Sequence, residues 1–417
     1  MISFETLTLD NGLKIISNRD PNTAMAAVNV LYDTGSRDET RDLTGVAHLF
    51  EHVMFGGSAN VADYSAAIEA AGGSDNAWTS NDYTNFYEVL PAVNIETAFW
   101  LESDRMLSPT LSEEVLDVQR RVVTEEFKQQ CLNRPYGDLG HHLRRLLYDS
   151  AHPYSWPVIG LEPAHIARIT RDDARRWFFS HYGPDNAVLA VSGNVDHDRV
   201  FALAEKWFGD IPRRGIAPRR LPDPGFPRAD VTEAVTGAVP ATAVVIAFPM
   251  AAYGSRPYFA ADTITDILSA GRSSRLYRDL IIGGDGLFSE VDASISGSRH
   301  EGFLMLNARL TDNSDSAVVR ARDLMLDRAR RLAVPGDVAP AELEKTFNRF
   351  ESLFNFSNMG YQTKAASLAM AAMHGEDIND TVTRQRATTL ADIAETAGTI
   401  FNRTPSVTVV YKPLSAV

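Results

Sequence analysis

His48 and His52 stand four residues apart in "TGVAHLFEHVMFGGSAN", residues 44–60, and Glu51 immediately precedes the second histidine. On a helix, side chains at i and i+4 share one face, so the two imidazoles can reach a single cation. Glu51, three residues after His48, falls at the edge of that face, where a carboxylate can hold a water that a metal has polarised. The order H-x-x-E-H is the inverse of the H-E-x-x-H zinc peptidase signature. Two histidines, a carboxylate and one open position are the donor set of a catalytic zinc. Structural zinc sites are usually closed by cysteines, and this chain has one cysteine, Cys131. The same pattern also arises by chance on an ordinary amphipathic helix, so a third ligand has to decide between the two readings.

The stretch "LSEEVLDVQRRVVTEEFKQQ", residues 111–130, offers that ligand. On a helical projection with Val115 at zero, the apolar set Leu111, Val115, Leu116, Val118, Val122, Val123 and Phe127 averages roughly 20° in direction. Glu126 also falls at roughly 20°, whereas Glu125 falls near 280°. A carboxylate on a buried face is costly unless a cation or donor compensates it. Glu126 is therefore the ligand candidate, while Glu113, Glu114 and Glu125 need only water. Gln119, about two turns earlier on the same face, is placed to hydrogen-bond a ligand.

These residues need elements to hold them. "FETLTLDNGLKIISNRD" alternates around Asn11-Gly12, a hairpin signal of the two-residue kind, and "MAAVNVLYDTGS" reads as a third strand. The histidine stretch reads as a helix with Thr44 as N-cap and Gly56-Gly57 as its stop. "SDNAWTSNDYTNFYEVLP" reads as two strands joined by a polar turn. Helices follow over 93–108, 112–131 and 136–148, then a helix from Arg171, a strand at "NAVLAVSG" and a helix over 195–208. "IPRRGIAPRRLPDPGFPRAD" has no periodicity and reads as a solvated linker. Beyond it the order of elements repeats: "ATAVVIAFPM" echoes the third strand and "YFAADTITDILSAGRSSRLY" the histidine helix, without its histidines. A strand "EGFLMLNARL", helices over 314–333, 339–358 and 361–373, and a last strand "SVTVVYKP" complete the chain. The reading is an α+β protein of two tandem similar domains, residues 1–211 and 231–417, joined by a linker over 212–230.

The chain has 417 residues, more than one core usually supports. Its formal charge of −14 argues against nucleic acid, which needs clustered Lys and Arg. No apolar run reaches the length of a membrane span. The N-terminus lacks a basic start and apolar stretch, which points to the cytoplasm, or to the periplasm if a signal peptide has been removed.

"HLFEH" followed by "VVTEEF" resembles the pitrilysin family of zinc metallopeptidases, which includes insulin-degrading enzyme and the mitochondrial processing peptidases. "NGLKI", "DTGSRDE", "HVMFGGS", "DNAWTSNDYTNFYEVLP", "SSRLY" and "AELEKTFNRFES" extend the resemblance over essentially the whole chain. It implies one zinc per chain on His48, His52 and Glu126, with Glu51 as general base. It also implies two α+β domains with largely antiparallel sheets, and a substrate strand added beside Asn76 and Ala77. From the residues alone, Asn76 reads equally well as a turn residue before a strand.

Two positions depart from the family pattern. Gln119 stands where relatives commonly carry a glutamate. In the second half, "LIIGGDGLFSEV" sets Ile281 and Ser289 where active relatives carry an arginine and a tyrosine. The leading expectation is a zinc endopeptidase acting on peptides or unfolded segments, in a chamber formed with a homologous partner that supplies the missing pair. A homodimer is the alternative assembly. A non-catalytic assembly subunit of the same fold is the alternative function.

Overall fold

Runs that are apolar on both faces, such as "AAVNVLY" and "AVLAVSG", form the middle of a six-stranded sheet. A computed structural model of the chain describes residues 1–216, 219–297 and 299–414. The first sheet contains β1 (Glu5–Thr8), β2 (Lys14–Arg19), β3 (Met25–Tyr32), β4 (Ser74–Thr79), β5 (Thr84–Pro91) and β6 (Ala187–Gly193), in the order β1-β2-β6-β3-β5-β4. Only the β2–β6 pair is parallel. Between these strands run α1 (Val46–Val53), α2 (Tyr64–Ala70), α3 (Ile95–Leu107), α4 (Glu113–Phe127), α5 (Leu139–Leu147), α6 (Pro163–Arg168) and α7 (Arg171–His181). Helix α8 (His197–Phe208) follows β6.

The second sheet has five strands: β7 (Val231–Gly237), β8 (Ala243–Met250), β9 (Phe288–Ser296), β10 (Gly302–Leu310) and β11 (Val407–Pro413). Their order is β7-β11-β8-β10-β9, again with one parallel pair, β7–β11. Along this stretch of sequence run α9 (Arg256–Ser269), α10 (Asp315–Arg331), α11 (Pro340–Ser357), α12 (Tyr361–His374), α13 (Thr381–Arg386) and α14 (Leu390–Gly398). Setting β2-β6-β3-β5-β4 against β7-β11-β8-β10-β9 matches position and direction strand for strand. The two halves are thus similar α+β units, as the repeated element order suggested. Among the described residues no helix is long and apolar enough to cross a membrane.

The units are not contiguous stretches, in contrast to the boundaries read from the linker. One gathers 1–127, 156–221 and 353–381; the other gathers 128–155, 222–352 and 382–417. Helix α12, from the second half of the sequence, covers the first sheet, where Ala365, Leu368 and Ala369 pack on Ile16, Ala27, Leu31, Val188 and Ala190. Helix α5, from the first half, packs on β8 and β11. An apolar helix face does not record which sheet it will cover. Nor are the arginines of the linker stretch all solvated. Arg214 lies 3.9 Å over the Phe178 ring and donates to the carbonyls of Phe178 and Met106, and Arg219 donates to Glu39 O. Ala217 and Pro218 of that stretch lie outside the described residues.

Two local expectations are corrected. The last ladder pair of β1 and β2 is Thr8 with Lys14, so the hairpin loop runs from Leu9 to Leu13 and is longer than two residues. Asn11 is drawn inward there, its amide donating to the carbonyls of Phe208 and Ile211. Thr44 is not the N-cap of α1. Gly45 holds that position at φ +87°, while the Thr44 hydroxyl meets His165 Nδ1 and accepts from Leu161 N. The capping oxygen comes from Glu39, a buried residue whose Oε1 accepts from Ala47 N at 2.9 Å and whose Oε2 accepts from Trp156 Nε1 at 2.9 Å.

Burial pushes the Glu39 carboxyl up to about 8, against the downward pull of the Ala47 and Gly45 amides and the Trp156 indole. The folded chain therefore keeps a proton that the unfolded chain releases, and this group's contribution to stability falls as pH rises from about 4.5 to about 8. Glu39→Gln keeps an acceptor and cannot ionise, so in urea unfolding its stability relative to the wild type should rise across that window. A difference that stays flat with pH would refute this. Glu39→Ala, which strands two buried donors, should cost about 2 kcal/mol or more throughout.

Candidate metal centre

Helices α1 and α4 pack together and bring His48, His52 and Glu126 to one point. One ligand atom from each lies within 4.8 Å of the others. Glu126 Oε2 is 3.7 Å from His48 Nε2 and 3.4 Å from His52 Nε2, and the two imidazoles stand edge to face at 4.9 Å. Zinc bonds of about 2.1 Å to nitrogen and oxygen would set tetrahedral ligand atoms roughly 3.4 Å apart, so the spacing suits the ion. All three side chains are part-exposed, at 13%, 26% and 29%, which leaves room for a further ligand. Burial, then the neighbouring His52, hold the His48 imidazole down at about 4. Hydrogen bonding from His52 lowers the Glu126 carboxyl. Near neutral pH, His48 thus presents a free lone pair and Glu126 a negative charge. The buried Nδ1 of His48 has no hydrogen-bond partner among the described residues, so Nε2 is the ring nitrogen that points at the cluster.

Glu51 lies beside the cluster on α1 and is only 9% exposed. Burial raises its carboxyl, and a hydrogen bond from Thr79 Oγ1 to Oε2 works in the opposite direction.

The helical projection of α4 selects the glutamate that lies beside His48 and His52, but for an incomplete reason. Val118 and Val122 are exposed, at 42% and 45%, while Leu116, Val123 and Phe127 are buried. The buried face therefore points nearer 80° than 20° on that projection, with Glu126 at its edge and Glu125 turned to solvent. Gln119 is half-buried on the same side of α4, and no hydrogen bond joins it to His48, His52 or Glu126 among the described residues.

Asn76 and Ala77 lie within β4, not in a turn, and β4 is the outer strand of its sheet. Asn76 is exposed and Ala77 half-buried, and the Ala77 amide donates to Asn76 Oδ1 at 2.8 Å. Thr79, three residues after Asn76, is the hydrogen-bond partner of Glu51 that sequence reading passed over. The alternation within "NAWTS" places it on the same face as Ala77, which was signal enough to find it.

In the second half no corresponding cluster of His, Cys, Asp or Glu exists among the described residues. Ile281 packs against the core of its unit. Ser289 is exposed on β9 and donates to Arg309 O. Neither offers a charged or phenolic donor, and Arg278 is already paired with Asp279.

The geometry makes a test of the glutamate pair direct. Elemental analysis of the purified chain should find about one zinc per chain. Glu126→Gln should lose metal to a mild chelator, whereas Glu125→Gln should retain it like the wild type. The opposite ranking would show that the wrong neighbour has been chosen.

Comparison with known proteins agrees with this arrangement. Residues 14–142 match the insulinase model of peptidase family M16, and residues 168–350 match the M16 inactive domain. The chain is 27% identical to the zinc protease PqqE of Helicobacter pylori, over 98% of this chain and 93% of that one. It is 30% identical to the beta subunit of the Saccharomyces cerevisiae mitochondrial-processing peptidase, over 61% of this chain and 56% of that one. Its fold matches the crystal structure of a protease from Helicobacter pylori with a TM-score of 0.88 and 26% identity, covering 99% of this chain and all of the other. The metal-binding pattern on α1 and α4, the paired sheets and these matches agree: the chain belongs to the M16 family, the insulinase or pitrilysin peptidases.

Proposed function

We propose that this chain is a zinc endopeptidase that hydrolyses peptides or unfolded segments and works with a homologous partner subunit. The observation that carries the reading is the convergence of His48, His52 and Glu126 within 4.8 Å, with the Glu51 carboxylate beside them. Zinc held by those three would supply a Lewis acid toward the scissile carbonyl. Glu51 is the general base. Its Oε2 is occupied by Thr79, which leaves Oε1 to take the proton of the attacking water and pass it to the leaving amine. The outer edge of β4 receives the substrate as an added strand, so the substrate must be extended.

The partner follows from Ile281 and Ser289, which stand where an arginine and a tyrosine would bind the carbonyl as charge develops on it. We assign those donors to an unlike subunit. A homodimer would hold two metal centres and no such pair. The same two residues are what favours the second reading, a non-catalytic assembly subunit, but the intact set at His48, Glu51, His52 and Glu126 weighs against it.

Glu51→Gln should keep its zinc and its unfolding midpoint while peptide hydrolysis falls by a factor of about 10² or more. A variant that cleaves near the wild-type rate removes Glu51 from this role. The zinc-loaded chain alone should be slow, and adding its partner should raise the rate about a hundredfold. Full activity from the isolated chain would rule the partner out.

A further inference from the structure

We infer that Thr79 is a positioning residue for the general base, so that the strand that receives substrate also sets the direction of the carboxylate. This rests on the reading of Glu51 as base. Along β4, Ser74, Asn76 and Trp78 are exposed, whereas Asp75, Ala77 and Thr79 are half-buried on the opposite face. Asp75 accepts from Ser65 of α2 at 2.9 Å, and Thr79 Oγ1 donates to Glu51 Oε2. That bond is the one side-chain hydrogen bond to Glu51 among the described residues. Without it, a glutamate with three rotatable bonds has no polar group to choose its rotamer.

The hydroxyl is delivered from a rigid support. Thr79 ends β4 opposite Thr84, whose own hydroxyl donates to Thr34 O at 3.0 Å. The turn that follows is closed by Ser80 N to Tyr83 O at 2.8 Å. It is also clamped from outside by Ser36 N to Ser80 O at 3.2 Å and by Arg37 N to Asn81 O at 2.8 Å. Gly35 makes that clamp possible, since a Cβ there would lie 2.5 Å from Ser80 O. Thr79 is thus fixed through its backbone, and its side chain fixes one oxygen of Glu51 while leaving the other free. The side chain points toward α1, so its loss should disturb the chemical step and leave substrate affinity alone.

The test compares the zinc-loaded full-length chains Thr79→Val and Thr79→Ser with the wild type on an unstructured peptide, with Glu51→Gln as control. Thr79→Val keeps the shape without the hydroxyl, and its kcat should fall about tenfold or more at unchanged KM. Zinc content and unfolding midpoint should match the wild type, and crystals of the variant should show Glu51 in more than one rotamer. Thr79→Ser should recover most of the rate. The inference is overturned if Thr79→Val keeps its kcat, if Val and Ser fall alike, or if Thr79→Val loses zinc or stability. A wild-type chain that stays inactive even with its partner subunit added, or an active Glu51→Gln, would remove the base reading and this inference with it.

Discussion

Three of the four groups at the centre sit on a helix of eight residues, a length that water would not leave helical. Everything around α1 can be understood as the supply of order that it lacks. Its first turn is capped by the buried Glu39, which at the same time holds the Trp156 indole. One side is packed by aromatic rings, with Phe50 against Phe178 and Tyr182. Its entry is made at Gly45, where a left-handed backbone and the close approach of Ile159 O leave no room for a side chain. The geometry of the site is therefore held by groups distant in sequence, and local helix propensity contributes little.

Behind α1 lies a second, costlier device. Arg105 of α3 is fully buried between Glu88 of β5 and Glu102 of its own helix, under the rings of Phe55, Tyr64 and Phe86. Burial, and then the nearby Glu102, push the Glu88 carboxyl well up, and its Oε1 accepts from the Tyr64 hydroxyl. Such a cluster is a poor source of net stability, yet removing one member leaves an unpaired charge in the core. Its effect is to tie α2, α3 and β5 into one arrangement, with Phe55 just beyond the end of α1.

The sequence carried the chemistry more openly than the architecture. The spacing of His48, Glu51 and His52 and the phase of Glu126 are short-range facts, and helical periodicity exposes them. Most strands and long helices were equally visible, because their apolar periods are strong. What stayed hidden depends on distant partners. Thr44 looked like a cap, but its hydroxyl is taken by His165 and Leu161, far along the chain, and Glu39 of the same β3–α1 connection supplies the oxygen instead. Val118 and Val122 looked buried because an apolar residue on an amphipathic helix usually is. The exchange of α5 and α12 left no local mark at all, since the proline-rich stretch near residue 220 signals a break in sequence and not the membership of a unit.

That exchange has a consequence for how the chain is made. The strands of the first sheet are all present once Gly193 has been synthesised, but the helix that covers one of its faces ends at His374. At ribosomal rates of about 5–20 residues per second, the delay is on the order of ten to forty seconds. Through that interval Ile16, Ala27, Leu31, Val188 and Ala190 are without the helix that buries them. The nascent amino-terminal half thus holds its sheet with one apolar face uncovered until α12 is made.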